Sequence, residues 1–411
     1  MRHILLGAVL LCPALTALAE PVPVIDNPRV APRINDVHFE EVWRAGADDS
    51  EEFIFGVIRD AVSDAGGNIY LLDSQQQQVF RFSPEGEYLG LVSRKGEGPG
   101  EINMVVNLAA PGGGRIAMTK YFPSKIVMID TLGTPLPSLD FVVSPTEGKE
   151  TRFASISGLA FMGEHLVAMG SVSHADGVRQ DNTTFLARFD SGGQEIHRYA
   201  QWPSGYDFSQ PIKVDEVARY HPLADWDMDH QGRVYHQVER EAYLIQVVDP
   251  EGQPLFRIRR EWPVHRRTGE EKEKAKNNFR FGGNAGLPDI SYEMADTDPA
   301  IHGLYVMRDE LWVTSTEQRR LLPEGVARAV SVFDLEGRLV EERHFHVPRD
   351  PQEDRLLYLA DGRVVRVKAF YSAHAAANVS NTVQVGEQRL RGEEHDQEAE
   401  LEVIVYRPVS P

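Results

Sequence analysis

Apolar and polar residues alternate in short runs along most of the chain, and the runs are separated by turns centred on glycine. A period of two sends successive side chains to opposite faces, so each run predicts a β-strand. The clearest stretch is Asp60-Ala61-Val62-Ser63-Asp64-Ala65-Gly66-Gly67-Asn68-Ile69-Tyr70-Leu71-Leu72-Asp73, followed by Val79-Phe80-Arg81-Phe82-Ser83-Pro84-Glu85-Gly86-Glu87-Tyr88-Leu89-Gly90-Leu91. It reads as four short strands, with Gly67 and Gly86 supplying the positive φ that tight hairpin turns need.

The unit recurs. Further first hairpins are centred near residues 112–114, 162–164, 229–232, 308–310 and 360–362, and second hairpins near 130–133, 190–193, 249–252 and 334–337. That makes about six first hairpins and about five second ones. Radial repetition of four-stranded sheets is the propeller arrangement, which hides most sheet edges. The shortfall disappears if the N-terminal strand at 37–43 and the C-terminal strand at 401–406 complete one unit together. The expected fold is therefore all-β, a six-bladed β-propeller closed by N- and C-terminal strands in one blade.

Composition bounds the function. With 42% hydrophobic residues in 411, the chain can bury a sizeable core. Its net charge of -19 repels phosphate backbones, and the one dense basic stretch, 257–267, is followed at once by Glu270 and Glu271. No nucleic acid partner is expected. Arg2 and His3 precede an apolar run from Ile4 to Leu11, and Ala17-Leu18-Ala19 ends it with small residues. Residues 1–19 thus read as a signal peptide cleaved near Ala19, which predicts a periplasmic or secreted protein. No later run approaches the roughly 18 consecutive apolar residues of a membrane helix, so no integral membrane span is expected. The single cysteine, Cys12, lies in that leader, leaving the mature chain without disulfides, thiol catalysis or thiolate metal sites.

The link Gly96-Glu97-Gly98-Pro99-Gly100-Glu101 and the Asp-x-x-Gly second turns resemble those of bacterial six-bladed β-propeller proteins of the NHL-like type, many of them exported. The resemblance runs from residue 37 to the end and implies a single domain over 37–411. It implies a fold more than an activity, because one such scaffold hosts many functions. Three stretches depart from the repeat: 201–219, with Trp202, Tyr206 and Phe208; 263–298, where Thr268 to Asn278 predicts a short exposed helix; and 374–396, which reads as a long polar loop or hairpin. Such insertions are expected to wall a binding site.

Candidate chemistry is sparse. Gly96 to Gly100 lacks the Lys-Ser/Thr pair and the helix of a phosphate loop, and reads as a crossover. Asp225-Trp226-Asp227-Met228-Asp229 spaces oxygen ligands as a calcium loop does. However, His230 replaces the glycine and His236 the closing glutamate, so it reads as a strand with Trp226 and Met228 buried. Asp60, His221 and His302 fall near the starts of inner strands, where a propeller can gather ligands for a divalent metal, calcium or zinc, or simply line its channel. Arg59, Asn107 and Arg355 are similarly placed and suit an anionic or carbohydrate ligand. There is no Gly-x-Ser-x-Gly elbow and no His-Glu-x-x-His helix. The expectation is a binding module for a protein, peptide or glycan ligand; the alternative is a metal-dependent hydrolase or lyase with its site at the axial channel.

Overall fold

The alternation is realised as strands almost throughout, and the chain is mostly β, divided into many small sheets, an arrangement consistent with a propeller. The computed structural model describes residues 21–46, 52–144, 153–220, 225–279, 289–382 and 401–409. The leader, residues 1–19, lies outside them, as does His221.

Strands β1 (Val24–Asn27) and β2 (Ile34–Gly46) open the chain. An antiparallel sheet follows, of β3 (Ile58–Ser63), β4 (Ile69–Asp73), β5 (Gln78–Phe82) and β6 (Tyr88–Ser93). The next holds β7 (Val105–Gly112), β8 (Arg115–Lys120), β9 (Lys125–Asp130) and β10 (Pro135–Asp140). The third holds β11 (Phe153–Met162), β12 (His165–Ala175), β13 (Arg179–Phe189) and β14 (Glu195–Asp207). After β15 (Ile212–Asp215) come β16 (Trp226–Met228), β17 (Val234–Gln237), β18 (Leu244–Val248) and β19 (Pro254–Arg260), the last edged by β1 in parallel. Helix α1 (Gly269–Lys276) leads to β20 (Ile290–Glu293), which pairs in parallel with β15. Strands β21 (Ile301–Met307) and β22 (Glu310–Ser315), helix α2 (Thr316–Arg320), and strands β23 (Arg328–Asp334) and β24 (Leu339–His346) follow. The chain ends with β25 (Arg355–Tyr358), β26 (Val364–Lys368), helix α3 (Phe370–Thr382) and β27 (Glu402–Pro408).

One local device builds most of the tight turns. In Asp-x-x-Gly turns the aspartate Oδ1 accepts the backbone N–H four residues on: Asn68 for Asp64, Thr134 for Asp130, Gln194 for Asp190, Arg233 for Asp229, Gln253 for Asp249 and Arg338 for Asp334. This is the self-bonding that favours Asp at a turn start. The glycine of each second turn carries a further constraint. A Cβ on Gly86, Gly133, Gly193, Gly252 or Gly337 would fall within 3.0 Å of Trp43 (β2), Val92 (β6), Asp140 (β10), His197 (β14) or Ile258 (β19), respectively, each in a neighbouring sheet.

Antiparallel pairing sorts the connections. Turns from first to second and from third to fourth strand leave one end of a sheet, and all the other links leave the opposite end. Helices α1, α2 and α3 and the β15–β20 pair all belong to that second end. The chain's two termini meet in an eight-stranded sheet of order β21-β22-β23-β24-β2-β27-β26-β25. Residues 34–38 of β2 run parallel to β24, and residues 39–46 run antiparallel to β27. Buried Glu341 fixes the first half by accepting from Arg33, Asn35 and Arg343.

Several expectations are corrected. The first described strand, β1, stands before residue 37 and is tied to the fold, because Asn27 bonds both Gly337 and Leu339. Residues 201–207 of the expected 201–219 insertion continue β14, with Trp202 packed on a core that includes Trp226. The stretch 374–396, read as a loop or hairpin, starts inside α3, whose Phe370, Ala373 and Ala377 pack on the Trp43–Phe82 core. The alanine run favours helix, and residues 383–396 lie outside the described ones. The expected short helix in 263–298 is α1, capped by Thr268 and Glu271 in a capping box. Trp226 and Met228 are buried in β16, and Asp229 starts the next turn. No described helix is long and apolar enough to cross a membrane.

Candidate functional site

Register places the sequence-derived candidates at one level of the inner strands. Asp60, Asp225 and Arg355 each precede the first-turn glycine (Gly67, Gly232, Gly362) by seven residues. In β3, β7, β11 and β21 the ladder is interrupted by one extra residue: Arg59, Val106, Ser157 and His302. The residues after these bulges are Asp60, Asn107, Gly158 and Gly303. A bulge re-aims a side chain out of the sheet, and here it does so at the end carrying the long connections.

Asp60 ties two sheets together. Its Oδ1 accepts the Ala61 N–H at 2.9 Å and its Oδ2 the Leu108 N–H of β7 at 2.8 Å. Burial pushes its carboxyl above the usual range, opposed by those two N–H groups and by the charges of Arg355 and Arg59. Asp227 repeats the arrangement, accepting from Met228 at 2.8 Å and from Val306 of β21 at 2.7 Å.

Arg355 is desolvated, which lowers its pKa against the opposing charge of Asp60, and its guanidinium lies 4.9 Å from the Phe370 ring centroid of α3. Arg59 is exposed. Neither guanidinium makes a hydrogen bond or ion pair with the described residues, whereas Arg33, Arg44, Arg259, Arg267 and Arg343 each face a carboxylate. His374 of α3 stacks on Phe370, and its pKa is lowered by burial and by the charges of Arg59 and Arg355. Asn107 Oδ1 is buried without a protein partner.

Of the proposed metal residues, His221 lies outside the described ones, and Asp60 and His302 each have other partners. His302 stands on β21 with its Nε2 against Arg319 of α2. Surrounding protein desolvates the ring although its edge is exposed, and with Arg319 and Arg328 this pushes the pKa down to about 4. Asp60 has both oxygens engaged by backbone N–H groups. Among the described residues no group of three or more His, Cys, Asp or Glu side chains is arranged to hold a metal ion.

A cavity of about 360 Å³ opens beside Arg59, between the starts of β3 and β7 and under α3. Its polar lining is Arg59, Ser74, Gln75, Gln77, Tyr121 and His374. Gln77 and Met104, both lining it, adopt φ of 56° and 57°, and Ala369 at the foot of α3 adopts 56°. Non-glycine residues in this region cost of order 1–3 kcal/mol each, and such strain collects where function fixes geometry. Gln77 is held by accepting the Val105 N–H at 2.9 Å and donating to Ser74 O at 2.6 Å. Sequence reasoning missed Ser74, Gln75, Gln77, Tyr121 and His374. The run Gln75-Gln76-Gln77-Gln78 was the available signal, being polar at a connection on the loop-bearing end.

No protein-family model matches the sequence, and no curated protein matches it. Among solved structures, a Bacteroides fragilis protein described as exported is 11% identical, with 94% of this chain and 100% of that chain covered at a TM-score of 0.43. A member of the DUF4221 family from Bacteroides vulgatus is 10% identical over 92% and 99% at 0.44. The calcium-binding protein regucalcin from Agrobacterium tumefaciens is 9% identical over 92% and 96% at 0.38. Likeness at this level transfers no site residue to the chain.

Proposed function

We propose that the protein is an exported, six-bladed β-propeller that acts as a binding module for an anionic ligand, taken at the loop-bearing end beside Arg59 and Arg355. Five blades are β3–β6, β7–β10, β11–β14, β16–β19 and β21–β24, and the sixth is β25, β26, β27 and the second half of β2. Supporting a closed ring, Trp43 of β2 crowds Gly86 just as Val92 of β6 crowds Gly133 in the next sheet. Export rests on the residue pattern of the leader, and the NHL-like resemblance belongs with the same reading.

The observation that carries the ligand class is the pair of unpartnered guanidiniums. Asp60 lies within Coulombic reach of both, but neither forms an ion pair with a described carboxylate, which leaves both forks open to an anion. A guanidinium fork binds carboxylate, phosphate or sulfate in a planar, bidentate manner. The acidic surroundings repel extended polyanions, so the ligand carries a localised charge on a protein, peptide or glycan. The metal-dependent alternative, hydrolase or lyase, has less behind it, because Asp60 is engaged by backbone N–H groups and His302 by Arg319.

The test is calorimetry of the mature protein with acetate, sulfate, phosphate and small carboxylated sugars and peptides. Binding of at least one class should weaken about tenfold or more in Arg59→Gln and Arg355→Gln, and should weaken as salt is raised. Absence of any anion binding, or variants binding like the wild type, would remove the reading.

A further inference from the structure

We propose that the ligand's charged group is a sugar carboxylate, and that a uronic-acid residue of a glycan occupies the cavity between β3, β7 and α3. The inference rests on the anion-binding reading and narrows it. The cavity's polar lining is one guanidinium, one imidazole and a set of neutral amide and hydroxyl groups. One guanidinium matches the single charge of a carboxylate, whereas a dianionic phosphate or sulfate would leave a charge unmet. A free amino acid or peptide N-terminus would bring an ammonium, and no aspartate or glutamate lines the cavity to receive it.

Sugar hydroxyls both donate and accept, and so do Ser74, Gln75 and Tyr121. The tyrosine adds an apolar ring face with a polar tip, suited to the C–H face of a pyranose. The volume, about 360 Å³, lies at the small end of the roughly 300–1,000 Å³ of ligand sites. It admits one or two sugar rings. The wall formed by Gln77 is fixed by its two hydrogen bonds, so the pocket is preorganised. Burial and the charges of Arg59 and Arg355 lower the His374 pKa, which leaves the charge recognition to arginine. The overall negative field favours isolated uronates over a continuous polyuronate chain.

The experiment titrates the mature protein with glucuronate, glucose, glutamate and sulfate by calorimetry. Glucuronate should bind, with glucose and glutamate at least about tenfold weaker. Arg59→Gln should reduce glucuronate affinity about tenfold or more, and Gln75→Leu should weaken glucuronate while leaving sulfate unchanged. Arg59 and Gln75 are exposed, so both variants should keep the wild-type melting temperature, checked in parallel. If sulfate or glutamate binds as tightly as glucuronate and the binding depends on Arg59, the sugar assignment falls while the anion module stands. If none of the anions binds, both fall.

Discussion

Glu216→Gln should destabilise the protein by about 3 kcal/mol, at the lower end of the roughly 3–5 kcal/mol for breaking a buried ion pair. Glu216 Oε1 accepts from Arg240 at 3.0 Å, and its Oε2 accepts from Arg267 at 2.7 Å and from the Ala295 N–H at 3.0 Å. The three side chains are only 10%, 6% and 8% exposed. Glutamine keeps the shape but removes the charge and turns a donor toward a guanidinium. The lower figure follows because Arg267 retains Asp298 at 2.5 Å and Arg240 retains the Thr297 carbonyl at 2.7 Å. The network fastens residues 263–298 to the segments that follow β15 and β17, so the variant should also be cut faster by protease near α1. Burial pushes the Glu216 carboxyl up, yet the Arg267 bond, the Ala295 N–H and the charges of Arg267 and Arg240 outweigh it and hold it below 4.5. Its contribution is therefore present above pH 4.5 and lost as pH falls through the lowered value, and the variant should lack that acid limb. Urea melts at pH 7 measure the loss. A shift in midpoint worth under about 1 kcal/mol at unchanged m would refute the reasoning.

Burial raises the Asp225 carboxyl to about 7, against the Tyr220 hydroxyl at 3.3 Å, so the folded state holds its proton where the unfolded chain, near 3.8, releases it. That stability is full below pH 3.8 and falls as pH rises to about 7; Asp225→Asn should therefore gain on the wild type across this window, by of order 2–4 kcal/mol at pH 8, in paired thermal melts. Trp43→Ala should cost about 3–5 kcal/mol, because Trp43 stacks on Phe82 at 5.2 Å and joins β2 to the β3–β6 core; an unchanged melting temperature would contradict this. Removing residues before Arg44 should lower the melting temperature of the whole protein, since it deletes Trp43 and the Arg33 and Asn35 partners of Glu341; a truncated chain melting at the full-length temperature would sink the idea of a closing strand.

What could be read in the sequence was what local chemistry decides. The Asp-x-x-Gly turns announce themselves because the accepting carboxylate, the backbone N–H that donates to it and the glycine lie within five residues of one another. Asp60, Asn107 and Arg355 were legible as inner-strand residues because each stands seven residues before a first-turn glycine, Gly67, Gly114 or Gly362, with Arg59 one residue earlier than Asp60. Long-range partners were not. Arg33 meets Glu341 across 308 positions, and nothing near Arg33 in the chain points there. His302 was placed on the correct strand, but Arg319 reaches it from α2, and that cation makes the ring a poor metal ligand at neutral pH. His374 escaped notice because 374–396 was read whole as a polar loop or hairpin, although Ala373, Ala375, Ala376 and Ala377 favour helix.

The position of the candidate site follows from where the sheets leave room for change. At the tight-turn end, the second-turn glycines are constrained twice, by a positive φ that side chains rarely adopt and by a neighbouring strand within 3.0 Å of where a Cβ would sit. A longer or bulkier turn there would push adjacent sheets apart. Among the described residues the opposite end carries no such repeated contact, and the three helices and the β15–β20 pair are found on it. The strained residues Gln77, Met104 and Ala369 sit at that end too, held by bonds such as Gln77 to Val105. Asp60 and Asp227 lock neighbouring inner strands just inside it, so loops can diverge above without loosening the sheets. A rigid carboxylate clasp below and variable, polar, cation-bearing loops above are the division of labour expected of a binding scaffold, in which rigid strands position recognition residues carried on the connections.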